Sequence, residues 1–514
     1  MKRFFFRLLV LLCFTFLISA LPGTVRAEGI EATELSDHSM VKGHSGFGDA
    51  LFVFNKDTTT YRVGAKNSTL TLEHQAGMGS LYIIFGGPYQ EYTIRDNTTG
   101  ETAICGAYGF IHEFIDLEGI FGTAPTSVTI EFGDGQPKLA EIKAYSTGEV
   151  PASVQKWEPH DGKKMDMLLF STHADDEQLF FAGVLPYYSG ELDYNVLVVY
   201  LTDHHNTDHF NNEVFRMHEA LNGLWAVGVT TYPVFGEFLD LYSMSKDELY
   251  WEFSKRGVDK EDFQEFVVEQ IRRFKPLVAL AQDFEGEYGH AQHKLYAEVI
   301  SEALEMTADA SIFPESADLY GTWDTPKAYF HLYPENPIVM DWDQPLESFD
   351  GRTAFEVTRD FGFPSHKSQY KLFCDLISYR LASVVERYNP CYYGLYRSLV
   401  GEDVEKNDFF ENLTNYAEQE RLAEEARIAE EERIAEEARL AEEARLAEEA
   451  KLAELAQQET ATPEPTAETE PPVPQKPVEE TVTTLIYAVT VLIGLVSILL
   501  VSQELYRKKQ NKKN

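Results

Sequence analysis

This 514-residue chain is poor in cysteine and in basic side chains. Its 44 lysines and arginines face 84 aspartates and glutamates, which gives a formal net charge of −40. A nucleic-acid partner is excluded, because binding a polyanion requires a basic surface that displaces its counterions. Cys13 lies in the apolar N-terminal segment, and the three remaining cysteines, Cys105, Cys374 and Cys391, cannot form a disulfide framework. Cys374 and Cys391 either form one bridge or remain buried free thiols.

Apolar segments near both ends predict export and anchoring. Residues 1–27 begin with basic side chains, continue through an apolar stretch and close on small residues, as a secretory signal peptide does. Residues 482–502 are predicted to form a transmembrane helix, and residues 503–514 a basic cytoplasmic tail. Because positive charge stays on the inner side, we expect a single-pass protein of a bacterial cell membrane with its body outside the cell.

A repeat precedes the predicted membrane segment. Residues 421–456 repeat six-residue units of the type RLAEEA, so residues 405–458 are predicted to form one long helix. A six-residue period moves the Leu or Ile position by about 120° per repeat, and no continuous apolar seam results. We therefore expect an isolated, semi-rigid spacer, followed by a proline-rich linker at residues 459–481. Oligomerisation of this helix as a coiled coil is the alternative, and the oligomeric state stays open.

Residues 28–150 are predicted to form a β-sandwich. They carry short β-rich runs, such as SLYIIF at Ser80–Phe85 and SVTIEF at Ser127–Phe132, which are separated by Gly, Asn and Asp turn signals. The last runs resemble the final strands of galactose-binding-like carbohydrate modules, and this resemblance implies glycan binding. The alternative is a structural sandwich that shields or orients its neighbour.

Residues 160–400 change to an alternation of strands and helices. The apolar runs at residues 165–170, 194–201 and 276–281 predict buried parallel strands, and helices are predicted at residues 211–225, 260–274 and 290–307. This pattern indicates the α/β class, with a doubly wound parallel sheet. Ligands of such sheets bind beyond the carboxyl ends of the strands.

Two short clusters of histidine and carboxylate follow predicted strands. They are STHADDE at residues 171–177 and GEYGHAQH at residues 286–293. His173 and Asp176 are spaced to reach one ion, and His293 supplies a third ligand from the start of its own helix. Two imidazoles and one carboxylate, with an open position for water, are a catalytic zinc arrangement.

The neighbouring side chains have the chemistry that such a site needs. Zinc acidifies a water molecule, Asp175 is placed to take its proton, and His290 is placed to stabilise the oxyanion or protonate the leaving group. A histidine-rich tract at residues 203–209 also lies beside the predicted pocket. We interpret it as substrate contacts or solvated histidines rather than as a second metal site.

These motifs resemble the PIG-L/LmbE-like de-N-acetylase family over roughly residues 163–395. The resemblance rests on STHADDE, on RMHEALNGLWAVGV at residues 216–229, on YGHAQH at residues 288–293, and on the pair Ser368 and Gln369. It implies a Rossmann-like domain that uses zinc to hydrolyse N-acyl groups. The implied site residues are zinc ligands His173, Asp176 and His293, general base Asp175, acid or electrostatic partner His290, oxyanion contact Tyr288, and substrate-gripping Arg216 and Asp240.

The chain departs from the family pattern at two positions. Ala174 replaces a proline, which should loosen the turn slightly, and Gln292 stands where the family has an acid. If that acid tunes the nearby imidazole, the amide lowers the pKa of His290 and changes activity or its pH dependence.

The sequence therefore predicts an exported zinc hydrolase that removes an N-acetyl or other N-acyl group from a glycan or glycoconjugate containing an amino sugar. One alternative is a glycan-binding surface protein with an inactive deacetylase domain. The other is an amidase that acts on an N-acyl metabolite without a sugar.

Overall fold

The structure, a computed structural model, describes residues 30–202, 214–375 and 377–459. The first region is a β-sandwich. Its elements are β1 (Val41–Ser45), β2 (Arg62–Val63), β3 (Thr69–Glu73), β4 (Ser80–Phe85), β5 (Tyr92–Asp96), β6 (Thr102–Cys105), β7 (His112–Asp116), α1 (Leu117–Phe121), β8 (Ser127–Phe132) and β9 (Lys138–Tyr145). One antiparallel sheet has the order β1-β3-β8-β5-β6, and the other has the order β2-β9-β4-β7.

The sandwich core lies between the two sheets. Along β8, Val128, Ile130 and Phe132 are buried and their neighbours are partly exposed, as expected for side chains that alternate between two faces. Strand β4 is buried throughout, because Ile83 faces this core and Tyr82 belongs to a second apolar cluster. Both faces of β4 are therefore covered.

Aromatic and imidazole contacts join the sandwich to the following domain. His112 makes hydrogen bonds of 2.7 Å to the Tyr82 hydroxyl and, through its other ring nitrogen, to His218. Phe110 stacks on Tyr232 with ring centroids 4.3 Å apart. Burial lowers the pKa of both histidines, so the buried pair is neutral near pH 7. The two regions form one compact unit.

The second region is an α/β domain. Its strands are β10 (Met167–Ser171), β11 (Val196–Thr202), β12 (Val234–Phe238), β13 (Val278–Ala281), β14 (Lys327–His331), β15 (Pro337–Val339) and β16 (Tyr392–Ser398). Its helices are α2 (Asp176–Leu179), α3 (Val214–Ala226), α4 (Lys246–Ser254), α5 (Lys260–Phe274), α6 (Ala291–Met306), α7 (Pro314–Tyr320), α8 (Ala354–Val357) and α9 (Lys367–Phe373).

These strands form one sheet with the order β12-β11-β10-β13-β14-β16-β15. Neighbours from β12 to β14 pair in parallel, whereas β16 pairs antiparallel with both β14 and β15. The prediction of a wholly parallel sheet is therefore wrong at this edge. Strand β16 is only partly buried. Parallel strands need crossover helices that cover both faces of the sheet, whereas an antiparallel strand does not, so antiparallel pairing is possible where one face is partly exposed.

Both faces of the sheet are covered, as a doubly wound fold requires. Successive side chains of β10 enter different cores: Leu169 packs in the cluster that includes α3, and Leu168 packs in the cluster that includes α5 and α6. The predicted central strands are observed within a few residues of their predicted bounds. Helix α5 has the predicted bounds, and α6 begins one residue later than predicted.

Helix α10 (Tyr416–Glu459) carries the six-residue repeat. It begins later than the predicted residue 405, because the preceding segment packs on the α/β domain, where Asp403 accepts hydrogen bonds from Lys327 and Tyr329. The repeated Leu and Ile side chains, such as Ile434 at 53%, are about half exposed. Arg433 pairs with Glu430 and Glu437, and its counterparts repeat this pattern, so the helix is stabilised along its own surface.

Several predicted features lie outside the described residues, namely the signal peptide at residues 1–27, the transmembrane helix at 482–502, the tail at 503–514 and nearly all of the linker. Among the residues that are described, none of the helices has both the length and the apolar character of a membrane span. Cys105, Cys374 and Cys391 are free thiols, so the alternative without a bridge is the one observed.

We predict that Lys327→Met destabilises the protein strongly. Lys327 is fully buried and pairs with Asp403, so its loss leaves a buried carboxylate without its cation and should cost about 3–5 kcal/mol. The matched control is Lys260→Met, because Lys260 is about one-third exposed and its pairs should contribute less than about 1 kcal/mol. Urea unfolding measures both variants, and equal midpoints for the two would contradict the prediction.

Candidate metal centre

The loop after β10 is held in an unusual conformation. Ser171 Oγ donates to the His173 carbonyl at 2.9 Å, and the Thr172 N–H donates to Gln282 Oε1 at the end of β13 at 2.9 Å. The Asp175 N–H donates to Glu177 Oε2 at 2.9 Å. Asp175 itself has φ +139°, a backbone conformation that costs energy in any residue other than glycine and that is concentrated at functional sites.

Three ligand atoms meet beneath this loop. Asp176 Oδ2 lies 3.1 Å from His173 Nδ1 and 3.1 Å from His293 Nε2, and the two nitrogens are 3.2 Å apart. Ligands about 2.0–2.1 Å from a tetrahedral zinc ion are separated by about 3.3 Å. All three side chains are buried. The triangle therefore has the size and the donor chemistry of a zinc site.

The electrostatics around the two imidazole rings favour a cation at this position. Burial opposes the charged form of His173, yet Asp240 and Asp176 raise its pKa to about 10. Burial also opposes a charge on His293, but Asp176 raises its pKa to about 9. A bound divalent cation would balance the same buried carboxylates.

His290 is the remaining histidine of the cluster. His173, His290 and His293 offer nitrogens that all lie within 4.8 Å of one another, so a three-histidine site is an alternative ligand set. We favour Asp176 over His290, because its oxygen lies closer to the other two donors and supplies negative charge. His290 stacks on His173 at 4.9 Å, and its buried Nε2 has no hydrogen-bond partner in the described part of the chain.

Further carboxylates orient the ligand rings. His293 Nδ1 and His331 Nδ1 both lie 2.8 Å from the carboxylate of the fully buried Glu287. His173 Nε2 lies 3.3 Å from Asp240 Oδ1. Such partners fix the orientation of a metal-bound imidazole and raise its basicity. The sequence analysis missed Glu287, although it stands inside the second cluster.

Arg216 holds the carboxylates of Asp175 and Asp240 in place. It donates to the Ala174 carbonyl at 2.8 Å, and its guanidinium lies 3.3 Å from Asp175 Oδ1 and 3.1 Å from Asp240 Oδ2. Burial raises the pKa of Asp175 to about 7, against the opposing effect of Arg216. A carboxylate with a pKa near neutrality is suited to proton transfer. The predicted grip of Arg216 and Asp240 on substrate hydroxyls remains a prediction.

Gln292 does not act through the ring of His290. Its side chain is fully buried, its Oε1 accepts from the Leu241 N–H at 3.0 Å, and its Nε2 donates to the Leu239 carbonyl at 2.8 Å. These bonds hold the backbone on either side of Asp240. The amide therefore supports the position of Asp240, and the expected effect on the pKa of His290 has no hydrogen bond to carry it among the described residues.

His366 and Ser368 join the start of α9 to helices α2 and α3. His366 Nε2 lies 3.0 Å from Glu177 Oε1, and Ser368 donates to Glu219 through both its N–H at 2.9 Å and its hydroxyl at 2.6 Å. His366 was not among the predicted site residues, and Glu219, inside the motif at residues 216–229, was not predicted to contact Ser368. Only the tertiary structure reveals that His366 lies against Glu177 and that Ser368 binds Glu219.

A cavity of about 520 Å³ opens above the metal centre. It contains the predicted catalytic and substrate-binding residues, whereas the predicted ligands Asp176 and His293 do not line it. The residues that line it are His173, Asp175, Phe215, Arg216, Asp240, Tyr242, Tyr288, His290, Ser368, Gln369, Leu372 and Phe373. The structure thus brings together all the site residues that the sequence predicted.

Comparison with known proteins assigns this region to a family. Residues 168–304 match the family model described as PIG-L: GlcNAc-PI de-N-acetylase. A deacetylase from Catenulispora acidiphila that acts on 1D-myo-inositol 2-acetamido-2-deoxy-alpha-D-glucopyranoside is 24% identical over 246 residues, which are 44% of this chain and 72% of the relative. A second deacetylase of that name, from Saccharopolyspora erythraea, is 32% identical over 96 residues, which are 19% of this chain and 34% of the relative.

Among solved structures, the N,N'-diacetylchitobiose deacetylase of Pyrococcus horikoshii is similar to this chain at 14% identity. The match covers 44% of this chain and 82% of that protein, with a TM-score of 0.29. The resemblance to the PIG-L family that the sequence motifs indicated is confirmed by the family match.

The two ligand sets make different predictions for metal binding. We expect His173→Ala and Asp176→Ala to abolish it, because each removes one corner of the triangle. His290→Ala should keep the metal. Metal content after purification in zinc-containing buffer tests this, with circular dichroism as the check on folding. If Asp176→Ala kept a full equivalent of metal and His290→Ala lost it, the three-histidine site would be the correct one.

Gln292→Glu should destabilise the protein, even though the resemblance to the family implies an acid at this position. A carboxylate at this position would face the Leu239 carbonyl, which the amide now satisfies, and the buried repulsion should cost at least about 1–3 kcal/mol. Gln136→Glu, at an exposed position, is the matched control. The measurement is the unfolding temperature, and an unchanged value for Gln292→Glu would show that the amide is not needed.

Proposed function

We propose that this chain, whose residues 168–304 form a PIG-L family domain of the de-N-acetylase class of hydrolases, uses zinc to remove the N-acetyl group of an amino sugar. The single observation that carries the proposal is the triangle of His173, Asp176 and His293 at the base of a cavity that also presents Asp175. A metal site next to a buried carboxylate with a pKa near neutrality suits amide hydrolysis.

Side chains other than the three proposed zinc ligands carry out the proton transfers. When bound, zinc would supply Lewis acidity that polarises the acyl carbonyl and lowers the pKa of water. Asp175 accepts a proton from the attacking water while Arg216 holds its carboxylate in place. The same carboxyl group then delivers that proton to the nitrogen of the leaving amine, so that acetate and a free amino sugar result.

His290 and Tyr288 complete the proposed site. The buried Nε2 of His290 has no partner among the described residues, and His290 lines the cavity. As an N–H donor it would stabilise the negative charge that develops on the acyl oxygen. The Tyr288 hydroxyl lies 3.4 Å from His290 Nδ1, so it can fix the ring or provide a second donor.

The choice of an amino-sugar substrate draws support from the relatives. Both curated relatives are named for the deacetylation of an acetamido sugar linked to inositol. We propose the same sugar class here, on a glycan or glycoconjugate outside the cell. The extracellular location rests on the signal peptide and transmembrane helix predicted from the sequence.

A second candidate function is glycan binding without catalysis, and one cavity favours it. A space of about 370 Å³ between the sandwich and the α/β domain is lined by Tyr108, Phe110 and Tyr232 on one side and by polar residues that include Asp161 and Arg273. Stacked aromatic rings beside planar polar groups suit a sugar ring. The two functions are compatible in one protein, and only a domain without turnover would leave binding as the sole role.

We predict that Asp175→Asn keeps its zinc and loses most of its turnover. An amide cannot accept the proton, so kcat should fall by about 10²- to 10⁴-fold. The assay measures acetate released from N-acetylglucosamine glycosides and from an N-acetylated amine without a sugar, together with zinc content. Asp134→Asn, at an exposed position of the sandwich, serves as the control.

A near-normal rate in Asp175→Asn would remove Asp175 as the base. If the unsubstituted protein bound zinc and released acetate from no substrate, glycan binding would be its function. If acetate came only from the amine without a sugar, the protein would be an amidase of the alternative kind.

A further inference from the structure

The rim of the active-site cavity is unusually apolar. Tyr242 and Leu372 are 74% and 68% exposed, and Phe373 lines the same cavity. Large apolar side chains that stay exposed together at the mouth of a cavity commonly mark a surface that a ligand covers.

The apolar rim is continuous with the catalytic residues. Tyr242 stacks on His290 with ring centroids 5.3 Å apart, and His290 stacks on His173 at 4.9 Å. Tyr288 contacts Phe373 with centroids 5.7 Å apart. A molecule whose acyl group reaches the metal centre therefore extends outward along aromatic and aliphatic surface.

The charges of the cavity offer little to an anion. Of the described residues that line it, Arg216 is the one lysine or arginine, and it is engaged by Asp175 and Asp240. The positive charges of a divalent metal and Arg216 would be matched by Asp175, Asp176 and Asp240. The whole chain has a net charge of −40. A phosphate group on the substrate would thus find no unbalanced cation.

From these observations we infer that the substrate is an uncharged glycoside of the N-acetylated amino sugar whose aglycone is apolar. The sugar occupies the space next to Asp175 and His290, and the aglycone covers Tyr242, Leu372 and Phe373. This inference rests on the proposed deacetylase function and adds the class of molecule to which the sugar is attached. It excludes substrates that carry a phosphate next to the sugar.

The test compares glycosides that differ only in the aglycone. The full chain is assayed for acetate release from the methyl, hexyl and phenyl glycosides of N-acetylglucosamine and from N-acetylglucosamine 1-phosphate. We expect kcat/KM about three- to tenfold higher for the hexyl or the phenyl glycoside than for the methyl glycoside, because the aglycone buries apolar surface. The 1-phosphate should be the poorest substrate. A preference for hexyl alone would indicate a lipid-like aglycone, and a preference for phenyl alone an aromatic one.

Two outcomes distinguish a failure of the aglycone inference from a failure of the proposed deacetylase function. Equal kcat/KM for the methyl, hexyl and phenyl glycosides, or the highest value for the 1-phosphate, would overturn the inference and leave the deacetylase activity standing. Acetate release from none of them, by protein that holds zinc, would overturn the proposed function as well.

Leu372→Ser tests where the aglycone lies. We expect this variant to lower the hexyl-to-methyl ratio of kcat/KM about two- to threefold, because it removes one of the three apolar contacts at the rim. Leu319→Ser is the matched control, since Leu319 is 74% exposed on α7 and does not line the cavity. The control should keep the ratio of the unsubstituted protein. An unchanged ratio in Leu372→Ser, with a preference for hexyl in the parent, would show that the aglycone lies elsewhere.

Discussion

A buried carboxylate that needs a cation governs the site. Asp176 is almost wholly removed from water and lies within 3.1 Å of a nitrogen of His173 and of His293. An ionised carboxylate in such surroundings is costly unless positive charge is close to it. His173 and His293, whose pKa values are raised by the surrounding carboxylates, favour positive charge beside it, and a divalent metal held by the same three side chains would supply that charge. The ligand positions, the ring orientations and the neighbouring pKa values all depend on this constraint.

The rest of the fold keeps that arrangement rigid. The Asp175 loop lies between the carboxyl end of β10 and the start of α2, and Arg216 of α3 joins it to Asp240. Helix α3 is in turn held by the β-sandwich, because His218 on the same helix is hydrogen-bonded to His112 at 2.7 Å. The sandwich therefore supports the site indirectly, because it packs against the helix that carries Arg216.

The family match and the local geometry describe different properties of the α/β domain. The PIG-L match of residues 168–304 identifies a class of hydrolase, and the hydrogen bonds show how individual side chains are held. Gln292 is an example. At a position where the family pattern has an acid, this chain has an amide, whose donor and acceptor both bind the backbone around Asp240. A carboxylate could accept the hydrogen bond from Leu241 but could not donate to Leu239, so the replacement is matched to its local surroundings.

The sequence by itself determined the order of strands and helices, the two motifs and the residue types at the site, because apolar periodicity and short motifs are local properties of the chain. The antiparallel strand β16 was not predictable, since its half-buried pattern has no distinctive period. Only the tertiary structure paired Glu287 with His293 and His366 with Glu177. It also showed that the Gln292 amide binds the backbone at Leu239 and Leu241 and makes no hydrogen bond to His290 among the described residues. Burial and hydrogen bonding between distant segments decide these features, and residue order alone does not specify which distant side chains will meet.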